Sequence, residues 1–148
     1  APTPWSLVSA GGDLIPNEGL ERAANFLTGL IGDDADPSLR LFKNNITPTG
    51  STEFADLDEA DFDTYELIVL GPTFPLAAIV DGAAQTISAD NEWEIVGEVI
   101  VSNTIYGSLI CLGAGVSVGC IEGFIPPVAM DSLGDVISVS VVLRIGRS

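Results

Sequence analysis

Closely spaced carboxylates are the first candidate for chemistry in this chain, and they lie at Asp56, Asp58, Asp61 and Asp63. A calcium-binding EF-hand loop requires an oxygen ligand at its fifth position, glycine at its sixth and glutamate at its twelfth. Counted from Asp56, those positions hold Ala60, Asp61 and Leu67, so the pattern does not match. We interpret these aspartates, and those of residues 33–36, as solvated acidic turns and predict no metal site.

The usual groups of enzyme catalysis are missing from the sequence. The chain has no histidine, which excludes the Ser-His and Cys-His nucleophile pairs. Two cysteines without histidine cannot complete a tetrahedral zinc site. Gly113 and Gly115 form a Gly-x-Gly sequence between two predicted strands, without the third glycine and the helix that a dinucleotide site needs. We therefore predict no catalytic residue, no cofactor and no enzyme activity.

The two cysteines, Cys111 and Cys120, lie in adjacent predicted strands. A hairpin with Gly115 and Val116 at its tip would place them opposite each other, because a type II′ turn prefers glycine at its first position. A loop made of residues 113–115 would not. Since nothing else in the sequence indicates an oxidising compartment, we predict two free, buried thiols.

Composition favours a single folded domain whose apolar residues exceed what its own core would bury. Of the 148 residues, 47% are hydrophobic and 18% are charged, which argues against disorder. The longest apolar run, residues 67–80, is broken by Gly71, Pro72 and Pro75 and is shorter than the ~20 residues that a membrane helix needs. We therefore expect no membrane partner and assign the apolar excess to contacts between subunits.

The charge balance restricts the partners further. Five basic and 21 acidic residues give a net charge of −16. Binding to nucleic acid requires lysines and arginines that neutralise phosphates, so we predict no nucleic-acid partner. The acidity favours solubility. A functional alternative is that the protein faces solvent on a large particle or meets a basic partner surface.

The N-terminal part combines an extended arm with a helix. In residues 1–16, Pro2 and Pro4 favour extended backbone, and Trp5 either folds back onto its own domain or docks into a neighbour. A helix is predicted over residues 17–31, with Asn17 as N-cap and Gly32 as its end. These two segments supply the candidate interface residues Pro2, Pro4, Trp5, Leu7, Val8, Leu20, Leu27 and Leu30.

Short β-branched and apolar runs predict about eight strands in the rest of the chain. They cover residues 39–44, 66–70, 77–89 with a type I′ turn at Asp81 and Gly82, 93–101, 105–112, 116–121 and 136–143. A capping box over residues 56–59 predicts a short helical turn, with Leu57, Ala60 and Phe62 facing inward. The predicted fold is mainly β, a single-domain antiparallel β-sandwich (jelly-roll-like) over residues 17–148, with one N-terminal helix and an extended N-terminal arm.

Five segments follow one another in a recognisable order. They are Ile15–Leu20, Leu39–Pro48, Ala55–Phe62 with Tyr65, Val101–Gly107, and Gly134–Asp135 before the terminal strand. As a series they resemble small virion proteins of tailed double-stranded DNA bacteriophages. The resemblance spans residues 15–143 and leaves out both the 1–14 arm and the cysteine pair. It implies a β-sandwich that coats or joins parts of a virion, and it transfers no catalytic residue.

Two function classes follow from this resemblance. The first is a capsid decoration or cement protein, made in the host cytoplasm and bound to the outer surface of an icosahedral head. Its partners would be the major capsid protein and sister copies, as a homotrimer. The second is a tail or fibre component that binds host glycan or another tail protein. A surface cluster of aromatic residues with Asp or Asn partners would favour the second class.

Overall fold

The computed structural model describes residues 5–9, 14–29, 37–112 and 117–147, with strands β1 to β10 and one α-helix, α1. The protein is mainly β, with 44% strand and 14% helical residues. The strands are β1 Trp5–Ser9, β2 Ser38–Phe42, β3 Ile68–Val69, β4 Ala78–Val80, β5 Ala83–Ile87, β6 Asn91–Glu94, β7 Asn103–Leu112, β8 Ser117–Met130, β9 Val136–Val139 and β10 Val142–Arg147. The mainly β prediction is confirmed.

The described strands form three sheets, and every pairing in them is antiparallel. The outer sheet has the order β1-β10-β5-β4, and the central sheet has the order β3-β2-β7-β8. A two-stranded sheet joins β6 to β9. This arrangement is consistent with a β-sandwich, whereas a jelly-roll order is not confirmed.

Strand β2 separates two hydrophobic cores because successive side chains of a strand point to opposite faces. Leu39 and Leu41 point into the larger core, which also contains Trp93, and Phe42 points into the smaller one. Trp93 is 3% exposed and its indole N–H donates to the Glu66 carbonyl at 2.8 Å, which satisfies the polar edge of the ring. The two cores hold the central sheet in place from both sides.

The helix α1 spans Asn17–Leu27, which is shorter than predicted. Pro16, not Asn17, is the N-cap, and the Asn17 N–H donates to the Gly50 carbonyl at 2.7 Å. At the other end the Thr28 hydroxyl donates to the Ala24 carbonyl, and Gly29 adopts a φ of 77°. Glycine reaches this left-handed conformation without a steric cost, and it commonly ends helices for that reason. The predicted end at Gly32 is therefore wrong.

One close approach holds α1 against β8. A Cβ atom on Gly19 would lie 2.2 Å from the Gly119 carbonyl oxygen, so only glycine allows this contact. The Glu18 carboxylate accepts the Val118 N–H at 2.8 Å and the Phe54 N–H at 3.3 Å. The helix is thus fixed by backbone contact and by one carboxylate that links three segments of the chain.

Two long predicted strands are interrupted. The run over residues 93–101 forms a strand only up to Glu94, because the Ile95 N–H then donates to the Asp135 carbonyl outside any ladder. The run over residues 136–143 divides into β9 and β10, which belong to different sheets. At the break, the Ser88 hydroxyl accepts the Val141 N–H at 2.8 Å and replaces a strand partner.

Local turn predictions have mixed outcomes. The β4–β5 turn is confirmed, since Asp81 and Gly82 have φ values of 50° and 79°, as a type I′ turn requires. The capping box predicted over residues 56–59 is wrong: it joins Glu53 to Asp56 around a 3-10 helix, Phe54–Asp56. The inward positions are nevertheless confirmed, because Ala60 and Phe62 are buried and Leu57 packs against the smaller core.

The cysteines are not opposite each other. In the β7–β8 ladder Cys111 pairs with Val118 and Cys120 pairs with Ile110, and the register shifts between the two pairs. The loop residues that separate the two hairpin hypotheses, 113–116, lie outside the described residues. Both cysteines are thiols, as predicted, but only Cys111 is buried. Cys120 is half-buried, so the prediction that both are buried is wrong for this residue. Burial raises the pKa of the Cys111 thiol to about 11.

The N-terminal segment contributes a strand. Residues 5–9 form β1 and pair along their whole length with β10 at one edge of the outer sheet. Leu14 forms an isolated antiparallel bridge with Ile121. Residues 1–4 and 10–13 of the predicted arm lie outside the described residues. The described backbone of this segment is therefore extended and attached to the domain.

Candidate interaction surface

A partly buried polar network joins Arg40, Glu59 and Tyr65 and is the first candidate for a chemical site. Arg40 Nη1 lies 2.8 Å from Glu59 Oε1, and the Tyr65 hydroxyl donates to Glu59 Oε2 at 2.9 Å. The same hydroxyl accepts the Leu41 N–H at 3.2 Å. Burial raises the pKa of Tyr65 far above its usual value, and the carboxylate of Glu59 adds to the shift.

The polar groups of this network bind one another and neighbouring parts of the fold. Arg40 Nε also donates to the Ser38 hydroxyl at 3.0 Å, and Arg40 Cζ lies over the Phe54 ring, 5.9 Å from the ring centroid. Among the described side chains, no buried polar atom lacks a hydrogen-bond partner. The network leaves no buried polar group available for a substrate, and it acts as an internal brace between β2 and residues 59–65.

Two of the aspartates of residues 56–63, Asp61 and Asp63, also have structural partners. Asp61 accepts a hydrogen bond from Asn103 at 2.9 Å and pairs with Lys43 at 3.0 Å, and these contacts lower its pKa. The Asp63 carboxylate accepts the Val101 N–H at 2.8 Å and also bonds the Ile100 N–H. Within the described residues no group of three or more acidic or cysteine side chains could hold a metal ion.

The predicted interface residues divide into three groups. Pro2, Pro4 and Leu30 lie outside the described residues. The backbones of Trp5, Leu7 and Val8 belong to β1, where they pair in register with Arg147, Ile145 and Arg144. Leu20 and Leu27 lie on α1 and are 46% and 77% exposed. With exposed Ala24 they form one stripe at helical spacing, which we call the helix stripe.

The sequence analysis missed a second apolar surface, the hairpin of β4 and β5 with the residues before it. Leu76 is 97% exposed and Ile79 is 74% exposed, while Val80 and Ile87 are 41% and 47% exposed. All three residues of β4 are exposed, although Ile79 points to one face of the outer sheet and its neighbours point to the other. We call residues 75–87 the exposed hairpin.

A sequence signal for this surface exists in the distribution of charge. Residues 67–89 contain a single charged residue, Asp81, in a chain with a net charge of −16. Strands exposed to water normally carry charged residues, which prevent pairing with other chains. A run with one charged residue, divided by a hairpin turn, is therefore the sequence signal for this apolar sheet edge.

The two edges of the outer sheet are separate surfaces. β1 lies at one edge and β4 at the other, with β10 and β5 between them. Since neighbouring strands are ~4.8 Å apart, the edges lie roughly 14 Å from each other. Different partners can therefore occupy the two edges at the same time.

An apolar cavity of 280 Å³ lies between α1, the central sheet and β10. Its walls include Ala23, Phe74, Leu112 and Leu143, and they offer almost no polar group that could orient a ligand. Pro37 and Leu112 on its wall each adjoin a segment outside the described residues. The cavity therefore does not define a ligand site.

Comparison of the chain with protein-family models, with curated proteins and with solved structures found no significant match. Within the described residues, no helix is both long enough and apolar enough to cross a membrane.

Proposed function

We propose that the protein is a structural virion protein, a capsid decoration or cement protein that binds the outer surface of a phage head. The single observation that carries an assembly function is the exposed hairpin, an apolar surface with one charged residue on a strongly acidic chain. Surfaces of this kind mark contacts with other proteins. The resemblance of residues 15–143 to small virion proteins supports the choice of a phage particle.

The helix stripe supplies a contact for the capsid. The exposed parts of Leu20 and Leu27 together amount to a little more than one whole leucine side chain. Burying them against a partner would contribute about 2–3 kcal/mol per copy. Many copies on one shell add such modest contacts, and copies that bind only the assembled lattice raise the free energy needed to open it.

The alternative, a tail component that binds glycan, has less support from the described surface. Trp93 is buried, and Tyr65 and Tyr106 are only partly exposed because they pack against the two cores. Sugar rings usually stack on exposed aromatic faces, and Trp93, Tyr65 and Tyr106, the tryptophan and tyrosine residues whose side chains the structure describes, present no fully exposed ring. The aromatic cluster that would favour this class is therefore not found among them.

Binding to heads that lack the protein tests the proposal. Purified full-length protein is mixed with such heads, and co-sedimentation measures the bound fraction. We expect saturable binding that falls on the order of a hundredfold in affinity when Leu20→Ser and Leu27→Ser are combined, because about 2–3 kcal/mol of burial is lost.

The matched control is Leu133→Ser, which changes a leucine that is 69% exposed in the turn before β9. This variant should bind like the wild-type protein. Absence of binding by the wild-type protein would contradict the proposal, and equal weakening by the control would remove the helix stripe from the contact.

A further inference from the structure

Arg144 differs from the other basic residues of this acidic chain. The sequence has five basic and 21 acidic residues. Arg22, Arg40 and Lys43 have partners within the chain, and the side chain of Arg147 lies outside the described residues. Arg144 is half-buried and forms no ion pair with any residue that the structure describes. Among the described basic side chains, it is therefore the one whose charge is left for contact with another molecule.

Arg144 lies in the middle of the outer sheet, on the face that is turned away from α1. Its backbone pairs in register with Val8 of β1 on one side and with Gln85 of β5 on the other. The preceding residue, Leu143, lines the cavity between β10 and α1. Because successive side chains of a strand point to opposite faces, Arg144 belongs to the opposite face, which we call the outer face.

The neighbours of Arg144 on the outer face are apolar. Val142 and Ile87 form one register pair on this face, and Ala78 and Val80 of β4 share it. Ile87 is 47% exposed and Val80 is 41% exposed. The four strands of the outer sheet contain no acidic residue, although the chain as a whole has 21. The outer face thus combines one cation with apolar side chains, which is the composition of the buried centre of many protein interfaces.

We propose that the outer face docks on a partner protein and that Arg144 binds a carboxylate of that partner. The inference rests on the proposed function, which makes the head surface the partner. A protein that bridges neighbouring capsid subunits needs two separate contacts, and the helix stripe supplies one of them. The outer face supplies the other.

Desolvation selects an acidic group as the occupant. Docking of the apolar side chains of the outer face would also bury the Arg144 guanidinium. A buried charge without an opposite charge is strongly unfavourable, so a partner that presents only apolar groups at this position is rejected. A carboxylate fits best, because the planar guanidinium can donate two parallel hydrogen bonds to its two oxygens.

The net charge of the chain distinguishes a protein carboxylate from a nucleic-acid phosphate. A chain of net charge −16 repels a polyanion, which presents many phosphates together. A single carboxylate on a protein surface meets much less of this repulsion, because charges further away than the screening length of ~8 Å contribute little at physiological salt. The partner is therefore a protein surface with an isolated acidic residue among apolar ones.

Co-sedimentation of the full-length protein with heads that lack it tests the contact. Arg144→Gln removes the charge and keeps a polar side chain, and it should weaken binding on the order of tenfold or more, because the head carboxylate is then buried without its partner. The matched control is Lys43→Gln, which makes the same change in net charge at a lysine that pairs with Asp61 outside the outer sheet. The control should bind like the wild-type protein.

Chemical treatment of the heads identifies the group that Arg144 binds. Carbodiimide with ethanolamine converts exposed head carboxylates into neutral amides. The ratio of wild-type to Arg144→Gln affinity should be about tenfold on untreated heads and close to one on treated heads. The use of a ratio removes the general effect of the altered head charge, since both proteins experience it.

Three results would overturn the inference while leaving the proposed function in place. They are equal binding by wild type and Arg144→Gln, an affinity ratio that treatment of the heads does not change, and a thermal unfolding midpoint of Arg144→Gln that falls by several degrees. The last result would place the partner of Arg144 within its own chain. Absence of binding by the wild-type protein would instead contradict the proposed function, and this contact would fall with it.

Discussion

Replacing Tyr65 with phenylalanine tests whether the Arg40–Glu59–Tyr65 network is structural. The change removes the hydroxyl that accepts the Leu41 N–H, and Leu41 is fully buried. A buried N–H without a partner costs about 1–3 kcal/mol. Glu59 keeps its contact with Arg40, so no buried charge becomes unpaired. We expect the free energy of unfolding to fall by about 2 kcal/mol.

Urea denaturation followed by tryptophan fluorescence measures this change. With a denaturant slope of about 2 kcal/mol/M, the midpoint should fall by about 1 M. Tyr106→Phe is the matched control, because no described residue forms a hydrogen bond with the Tyr106 hydroxyl, and its effect should stay within about 0.5 kcal/mol. An unchanged midpoint for Tyr65→Phe, or an equal loss for the control, would refute the structural interpretation of the network.

Three further predictions follow from the packing and the electrostatics. Gly19→Ala forces a Cβ to 2.2 Å from the Gly119 carbonyl oxygen, so thermal unfolding should begin several degrees lower, a loss of about 1–3 kcal/mol. Cys111 should resist a thiol reagent at pH 8 in the folded protein and react after unfolding, because it is buried and its pKa is raised. Hydrogen bonds from the Asp131 and Ser132 amides lower the pKa of Asp135 below 3.8, so it stabilises the turn above that pH and loses this effect as the pH falls through its folded value. Amide chemical shifts of residues 131–132 should report this acid transition, and Asp135→Asn should abolish it.

Local signals in the sequence predict local structure well. Asp81 followed by glycine between two apolar runs predicts a two-residue hairpin, and the β4–β5 hairpin confirms it. The alternation over residues 136–143 predicts one all-apolar face, made of Ile137, Val139, Val141 and Leu143. Ile137 and Val139 are buried, whereas Val141 and Leu143 are half-buried. These predictions succeed because turn conformation and strand alternation depend on residues that are near in sequence.

Features that depend on residues distant in sequence cannot be predicted from such local signals. The run over residues 136–143 alternates without interruption, yet it changes sheets at Ser140 because Ser88, far away in sequence, accepts the Val141 N–H. The capping box lies at Glu53 and Asp56 rather than over residues 56–59, because each of these two side chains accepts the backbone N–H of the other residue. Hydrophobic periodicity shows that a segment is a strand, but it does not show which strand is its partner.

The candidate surface is only partly predictable for a related reason. Leu20 and Leu27 follow from helical spacing, and the structure exposes both. The apolar residues of the exposed hairpin look like core residues in the sequence, because apolar strands are usually buried. Only the pairing order, which leaves β4 at an edge, distinguishes Ile79 from a core isoleucine.

An electron-microscopy map of the parent particle tests the central claim most directly. We predict density that fits this domain on the outer surface of the head, in contact with neighbouring capsid subunits through the helix stripe. Density for the protein in the tail alone, or particles that contain no copy of it, would contradict the claim that it is a capsid decoration protein.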